Sequence, residues 1–198
     1  MLKKLIATIL ITLTLFTSCS KATPRDNAEI AEEFIRIVLT MPNEDIADVV
    51  IPVFTELNSE DFWTERFGDE EAPEGGVLFT MDDLFEGYSE RMIVAITSMC
   101  EGYTNQEMLT LEGMGGLFYL TIVNFHVSAA VDGYTCTVES IELEETGEKQ
   151  YSYAATVITS YSDEPLIFRG NIRFDEDGLV CYMVLNEPIY YAPIEDTL

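Results

Sequence analysis

Basic residues are scarce in this sequence. Its 198 residues include 10 Lys+Arg against 36 Asp+Glu, which gives a formal net charge of −26 at pH 7. Proteins that bind nucleic acid do so largely by neutralising phosphates with Lys and Arg, so nucleic acid is excluded as a partner. The same charge repels anionic lipid head groups, and we expect the folded part to stand off a bilayer surface.

The N-terminal apolar run is too short to span a bilayer. Leu5 to Phe16 has twelve residues, and a helix of that length rises about 18 Å, short of a hydrocarbon layer of roughly 30 Å. The run follows Lys3 and Lys4, and a basic segment before a short apolar core is typical of an export signal. Residues 1–18 are therefore predicted to be a signal peptide.

The residues after this run, Phe16-Thr17-Ser18-Cys19, resemble the lipobox of bacterial lipoproteins, in which a small residue precedes an invariant Cys. The resemblance implies cleavage between Ser18 and Cys19, a diacylglyceryl group on the Cys19 thiol and an acylated new amino terminus. The protein would then be lipid-anchored on the extracytoplasmic side of the cell envelope, with a tether of residues 19–25 and a single domain of residues 26–198. The alternative is an ordinary secretory signal cleaved near residues 20–22, which would release a soluble protein.

Cysteine and histidine are too few for most metal or nucleophile motifs. Once Cys19 carries lipid, three cysteines remain, and an odd number cannot form a full disulfide framework. We expect free buried thiols, although export leaves a Cys136–Cys181 bridge open. No Cys/His spacing predicts zinc. The one histidine, His126, could be a general base, but no nucleophile motif accompanies it, and we expect a hydrogen-bonded or exposed histidine without catalytic duty.

Helical periodicity dominates the first half of the mature chain. Thr80 and Asp83 form a capping box for a helix that is predicted to continue to about Cys100. The predicted helices span residues 26–41, 46–54, 58–67 and 80–100, and a further helix begins at a second capping box, Thr104 to Glu107.

Alternation predicts strands from Leu117 onward. Apolar residues at 125, 127, 129 and 131, followed by Asp132-Gly133, indicate a strand and a hairpin turn. Further strands are predicted over residues 134–143, 150–161, 166–174 and 179–185. The short turns between them require antiparallel pairing, and helices followed by a meander predict an α+β fold with four to six strands.

Both faces of the predicted sheet are partly apolar. Tyr151, Tyr153 and Tyr161 are predicted on one face, and Ala154, Thr156 and Ile158 on the other. Helices can cover only one face. The other face is expected either to pack on residues 100–120 or to form an interface with a partner or a second copy of the chain.

This order of elements resembles the nuclear transport factor 2-like, cystatin-like cone, in which helices pack into the concave face of a curved antiparallel sheet. The resemblance covers residues 26–186 and rests on element order. It implies a cavity between helices and sheet. Enzymes of this fold, isomerases and cyclases, use an Asp or His base with Tyr or Asp donors there. No motif in this chain matches them, so no catalytic residue is carried over.

Residues 60–90 hold eleven carboxylates and one base, Arg66. Calcium prefers such oxygen ligands, but the EF-hand pattern is absent, and we expect a solvated acidic surface with no metal site. Residues 175–178, Asp-Glu-Asp-Gly, are predicted to form a hairpin turn rather than a calcium loop.

These observations give one leading hypothesis and two alternatives. The leading one is a membrane-anchored lipoprotein whose noncatalytic domain, without a cofactor, binds a small ligand or another cell-envelope protein. The first alternative is an isomerase- or cyclase-like enzyme of the cone fold. The second is a calcium-binding envelope module built on residues 69–86.

Overall fold

The structure is a computed structural model that describes residues 25–68, 80–105, 108 and 113–185. The predicted signal peptide, the lipobox with Cys19, most of the acidic loop and most of the helix predicted from Thr104 lie outside these residues. Within them, no helix combines the length and apolar character needed to cross a membrane.

The described residues form helices followed by one antiparallel sheet, which confirms the α+β prediction. The four strands pair in the order in which they follow one another along the chain. The helices are α1 (Asn27–Leu39), α2 (Glu44–Leu57), α3 (Glu60–Phe67), α4 (Met81–Leu84), α5 (Tyr88–Cys100) and α6 (Gly113–Asp132), and the strands are β1 (Cys136–Gly147), β2 (Gln150–Thr159), β3 (Ser162–Phe174) and β4 (Val180–Leu185).

The first three helices begin at polar residues whose side chains accept a backbone hydrogen bond. Asp26 accepts from the N–H of Ala28, Asn43 from Ile46, and Ser59 from Phe62. Each bond satisfies an N–H group that has no partner inside the helix. These three helices lie close to where their periodicity predicts them.

The helix predicted over residues 80–100 is in fact two helices. Thr80 and Asp83 form the expected capping box, but α4 ends at Leu84. Gly87 then adopts φ 69°, a left-handed conformation, directly before α5. The Asp82 carboxylate accepts a hydrogen bond from the N–H of Ser89 at 3.0 Å, so it caps the second helix and stabilises the break.

The strand predicted around residues 125–131 is wrong, because these residues belong to α6. The buried side chains Ile122, Phe125, His126 and Ala129 recur at helical spacing. Asp132-Gly133 ends this helix instead of forming a hairpin: Gly133 has φ 72°, and the N–H groups of Gly133 and Tyr134 both donate to the Ala129 carbonyl at 3.1 Å.

One face of the sheet, here called the inner face, packs against the helices. Its side chains join Phe34, Ile35 and Leu39 of α1 in a single hydrophobic core. Inner-face residues in that core include Ala155, Val157, Phe168, Ile172 and Val180. Tyr153 belongs to this face as predicted, whereas Tyr161 lies in the turn after β2 and is 40% exposed.

The start of the described chain contacts the domain through Arg25. Its Nη1 lies 2.7 Å from Oε2 of Glu33 on α1, and its guanidinium carbon lies 5.4 Å from the centre of the Tyr103 ring. The Tyr103 hydroxyl donates to the same Glu33 oxygen at 3.2 Å. These contacts join the chain just before α1 to the segment that follows α5.

A tyrosine lies across a glycine on the inner face. Gly170 of β3 pairs with Tyr153 of β2 and with Leu185 of β4. The Tyr153 hydroxyl reaches over Gly170 and donates to the Val184 carbonyl at 3.4 Å. Both the ring position and the β3–β4 pairing depend on the absence of a Cβ at residue 170, since such an atom would overlap the Val184 carbonyl oxygen and lie 2.7 Å from the Tyr153 hydroxyl oxygen.

We therefore expect Gly170→Ala to lower the free energy of unfolding by about 1–3 kcal/mol or more, the usual cost of overpacking. Gly147→Ala is the matched control, because a Cβ there meets only Gln150, at 3.9 Å. Denaturant unfolding of both variants measures the difference. Equal midpoints for the two variants would contradict the steric role of Gly170.

Candidate functional site

The candidate general base, His126, lies in the middle of the domain and is fully buried. Its Nδ1 accepts a hydrogen bond from the N–H of Asn43 at 2.9 Å. Because Nδ1 is an acceptor, the ring proton is on Nε2, which lies 3.1 Å from the Val38 carbonyl oxygen and donates to it. The imidazole is therefore neutral, with both nitrogens bonded to the backbone.

His126 joins three helices. Val38 lies in the last turn of α1, Asn43 caps α2, and His126 itself belongs to α6. The same connection is held from the sheet side, because Met41 and Cys136 exchange backbone hydrogen bonds of 3.0 and 2.8 Å. Of the two expected states of His126, hydrogen-bonded or exposed, the structure shows the first, and His126 lies on a helix rather than on the predicted strand.

The electrostatics of this position oppose acid–base chemistry. Burial lowers the pKa of His126 from 6.5 to about 4, against the opposite effect of the hydrogen bond to Val38. An effective general base near neutral pH needs a pKa close to 7 and a free nitrogen that faces substrate. His126 has neither, so its contribution is to hold backbone groups together.

The three cysteines among the described residues are free. Burial raises the pKa of the Cys100 thiol to about 12 and that of Cys136 to about 11. Thiols with such pKa values are poor nucleophiles at neutral pH. The three thiols are free, as expected, and no Cys136–Cys181 bridge forms in this structure. Cys100 and Cys136 are buried as expected, whereas Cys181 is only half-buried.

In the described part of the acidic segment, Asp82 and Asp83 accept hydrogen bonds at the starts of helices. Hydrogen bonds from the side chain and backbone of Ser89 lower the pKa of Asp82, and those from Thr80 lower the pKa of Asp83. Within the described ranges, no group of three or more His, Cys, Asp or Glu side chains is placed to hold a metal ion. Residues 69–79, which the calcium hypothesis needs, lie outside those ranges.

Asp175 organises the turn between β3 and β4. Its Oδ1 accepts from the N–H groups of Asp177 and Leu179, each at 3.0 Å, and its Oδ2 accepts from the Asn105 side chain at 3.0 Å. Burial opposes ionisation, but these hydrogen bonds and Lys149 lower the pKa of Asp175. The prediction of a hairpin turn is confirmed.

A groove of about 490 Å³ lies between α2 and α5. We call it the helix groove. Its apolar lining includes Val49, Val94 and Ala95, and its rim carries the carboxylates of Asp45, Asp48 and Glu90 beside Arg91. Val94 is 63% exposed. An apolar strip with an acidic rim suits a partner that is both apolar and basic.

The second surface, here called the outer sheet face, is the side of the sheet that points away from the helices. A hollow of about 410 Å³ lies at its centre over Ser152 and Ala154 of β2. Glu142 and Glu144 of β1 flank it on one side, and Arg169 and Asn171 of β3 on the other. The larger apolar side chains on this face, Ile158 and Ile167, are 43% and 49% exposed.

The described part of segment 100–120 joins the inner side of the sheet. Thr104 forms a parallel bridge with Val180 at the β4 edge, and Met108 is buried in the hydrophobic core. Of the two expectations for the outer sheet face, packing on this segment therefore finds no support among the described residues. The remaining expectation is an interface.

The burial of His126 predicts a pH dependence of stability. In the unfolded chain its imidazole takes up a proton at a pKa near 6.5, whereas in the folded protein the imidazole stays neutral down to about pH 4. The free energy of unfolding therefore keeps its full value, as far as His126 is concerned, above pH 6.5. It declines as the pH falls towards 4, by about 3 kcal/mol in total.

Two measurements check this prediction. Because the chain has a single histidine, one NMR signal reports its imidazole, and we expect that signal to stay constant from pH 8 to 5.5. Denaturant unfolding should show that the wild type loses stability relative to His126→Gln between pH 7 and 5, since the carboxylates are common to both. A folded imidazole that titrates near pH 6.5 would contradict the assignment.

Comparison with family models, with curated proteins and with solved structures finds no match to this chain.

Proposed function

We propose that this protein is an extracytoplasmic lipoprotein, anchored to a membrane through Cys19, whose folded domain is a noncatalytic binding module. The anchor rests on the sequence from Lys3 to Cys19 and on its resemblance to a lipobox. After cleavage, residues 19–198 carry 8 basic against 36 acidic residues, a formal charge of −28. A domain of that charge favours basic partners.

One observation supports binding rather than catalysis: the imidazole best suited to act as a general base has both nitrogens engaged by backbone groups of Val38 and Asn43. The enzyme alternative also requires a desolvated carboxylate in a cavity. Every carboxylate whose side chain the structure describes is exposed or half-buried. The buried imidazole of the described domain therefore holds helices together through the backbone groups of Val38 and Asn43.

The helix groove is the surface we assign to binding. Its partner would be a basic, amphipathic segment of another cell-envelope protein, because the groove offers apolar contact area along Val49 and Val94 and negative charge along its rim. The rim charges are solvated, so they contribute more to the association rate and to partner choice than to affinity.

The anchor predicts a change of location for one substitution. Cys19→Ala removes the thiol that would carry lipid, so we expect the protein to move from the membrane fraction to the medium or to keep its leader uncleaved. Cys181→Ala is the matched control, because it removes a half-buried thiol of the folded domain and should leave location unchanged. Mass spectrometry of the mature N-terminal peptide reports the modification directly. Unaltered membrane retention of Cys19→Ala would refute the anchor.

The helix groove predicts selective binding of a basic amphipathic peptide. As a probe we suggest a helical Lys/Leu peptide with its leucines on one face, titrated into the protein and followed by the NMR signal of Val94. Asp45→Lys combined with Asp48→Lys should weaken binding at least about tenfold. Glu142→Lys combined with Glu144→Lys makes the same change of charge on the outer sheet face and should have little effect. Equal weakening by both pairs would show that the peptide responds to net charge alone.

A further inference from the structure

We propose that the outer sheet face binds a second copy of this chain and forms a twofold-symmetric, face-to-face dimer. This inference is independent of the helix groove and of the lipid anchor. It rests on the layout of charge, small side chains and exposed isoleucines on the outer sheet face.

Charge on this face is divided between its two sides. In the strand register, Glu142 of β1 and Arg169 of β3 stand on either side of Ala154, and Glu144 and Asn171 on either side of Ser152. At the centre of the face, the β1 side is therefore acidic and the β3 side basic, whereas the start of β3 carries the exposed carboxylates Asp163 and Glu164. In a chain with so few basic residues, Arg169 and its β3 neighbour Arg173, whose guanidinium lies 5.4 Å from the Tyr182 ring centre, are a local concentration of positive charge.

This division makes the face complementary to itself under one particular symmetry. A twofold axis that runs parallel to β2, above the centre of the face, places β1 of each copy over β3 of the other. Glu142 of each protomer then faces Arg169 of its partner, and Glu144 faces Asn171. A twofold axis across the strands would instead place β1 over β1 and oppose Glu142 with its own copy. The charges therefore select the first arrangement.

The side chains near this axis allow close contact. Ser152 and Ala154 are small, so two sheets can approach to the usual spacing of about 10 Å. Ile158 also lies on β2 and points outward between the buried residues Val157 and Thr159. In the proposed dimer Ile158 packs against Ile158 of the partner, which removes from water a side chain that is 43% exposed in the monomer.

The size of the face indicates a weak dimer. Because the axis lies over β2, the strands that overlap are β1, β2 and β3 of the four-stranded sheet. Over about eight residues they cover roughly 400 Å² on each copy at ordinary strand spacing, which is small for a specific interface. The large negative charge of each copy opposes association, but salt at 0.15 M screens charges more than about 8 Å apart. If the proposed anchor holds two copies on one leaflet, their effective concentration rises.

The first test is a cross-link on the proposed axis. Ile158→Cys places a thiol opposite its own copy, so mild oxidation of the full chain, purified in a gentle detergent, should yield a disulfide-linked dimer. Val94→Cys is the matched control, because Val94 is 63% exposed but lies on α5, in the helical layer. We expect at least about tenfold more cross-linked dimer from the first variant. Equal yields would overturn the proposal.

The second test exchanges charge, with Ile158→Cys present throughout. Glu142→Arg places two guanidinium groups opposite each other across the axis, because the introduced side chain faces Arg169 of the partner. Arg169→Glu likewise places two carboxylates opposite each other, so each single variant should lose the cross-link about tenfold. Mixing the two variants restores opposite charges at both contacts of the heterodimer, so a cross-linked heterodimer should form. Arg91→Glu, the same change on α5, should leave the dimer intact.

The mixing experiment also separates dimerisation from a general effect on folding or solubility, since neither single variant can be rescued by the other unless they meet across this face. A mixture that stays monomeric would overturn the proposed geometry. The lipid anchor does not enter the result, because the detergent keeps the chain in solution with or without lipid, so the outcome is independent of the proposed function.

Discussion

The architecture depends on one buried imidazole that replaces backbone hydrogen bonds where two helices meet. The last turn of α1 leaves carbonyl groups without helical partners, and the start of α2 leaves N–H groups in the same condition. His126 supplies a donor to Val38 and an acceptor to Asn43 from a third helix. A neutral imidazole is the one common side chain that offers both at opposite ends of a rigid ring. With Met41 bonded to Cys136 on the other side, this connection ties the helical layer to the start of the sheet.

The parts of the fold that the sequence predicts well are those governed by local chemistry. Asp26, Asn43 and Ser59 each mark a helix start, because a short polar side chain satisfies an N–H group within the same turn. The β2–β4 meander follows from alternation and from turns too short for crossovers. The Asp175 turn belongs to the same class, since its hydrogen bonds to Asp177 and Leu179 lie within four residues of the chain.

The errors arise where a local pattern fits two structures. Apolar residues recur at every second position from Phe125 to Val131, as they do in a strand. Ile122, Phe125 and Ala129 also have the spacing of one helical face, and only the three-dimensional core decides which residues are buried. Gly133 can close either a hairpin or a helix. The partners of His126 lie more than 80 residues away in the sequence, and no local signal identifies them. The helix groove and the hollow on the outer sheet face are likewise lined by residues that only the fold brings together.

The contact of Arg25 with Glu33 and Tyr103 limits how far the folded domain could lie from a membrane that holds a lipidated Cys19. These contacts attach the chain to the folded domain at Arg25. Only the six residues from Ser20 to Arg25 would therefore separate a lipidated Cys19 from the domain, a tether of at most about 20 Å. In that case Arg25 would lie within about 20 Å of the leaflet that holds the lipid. The side of the domain near the membrane would meet proteins embedded in that membrane, whereas molecules farther from the membrane would be reached only by the opposite side of the domain.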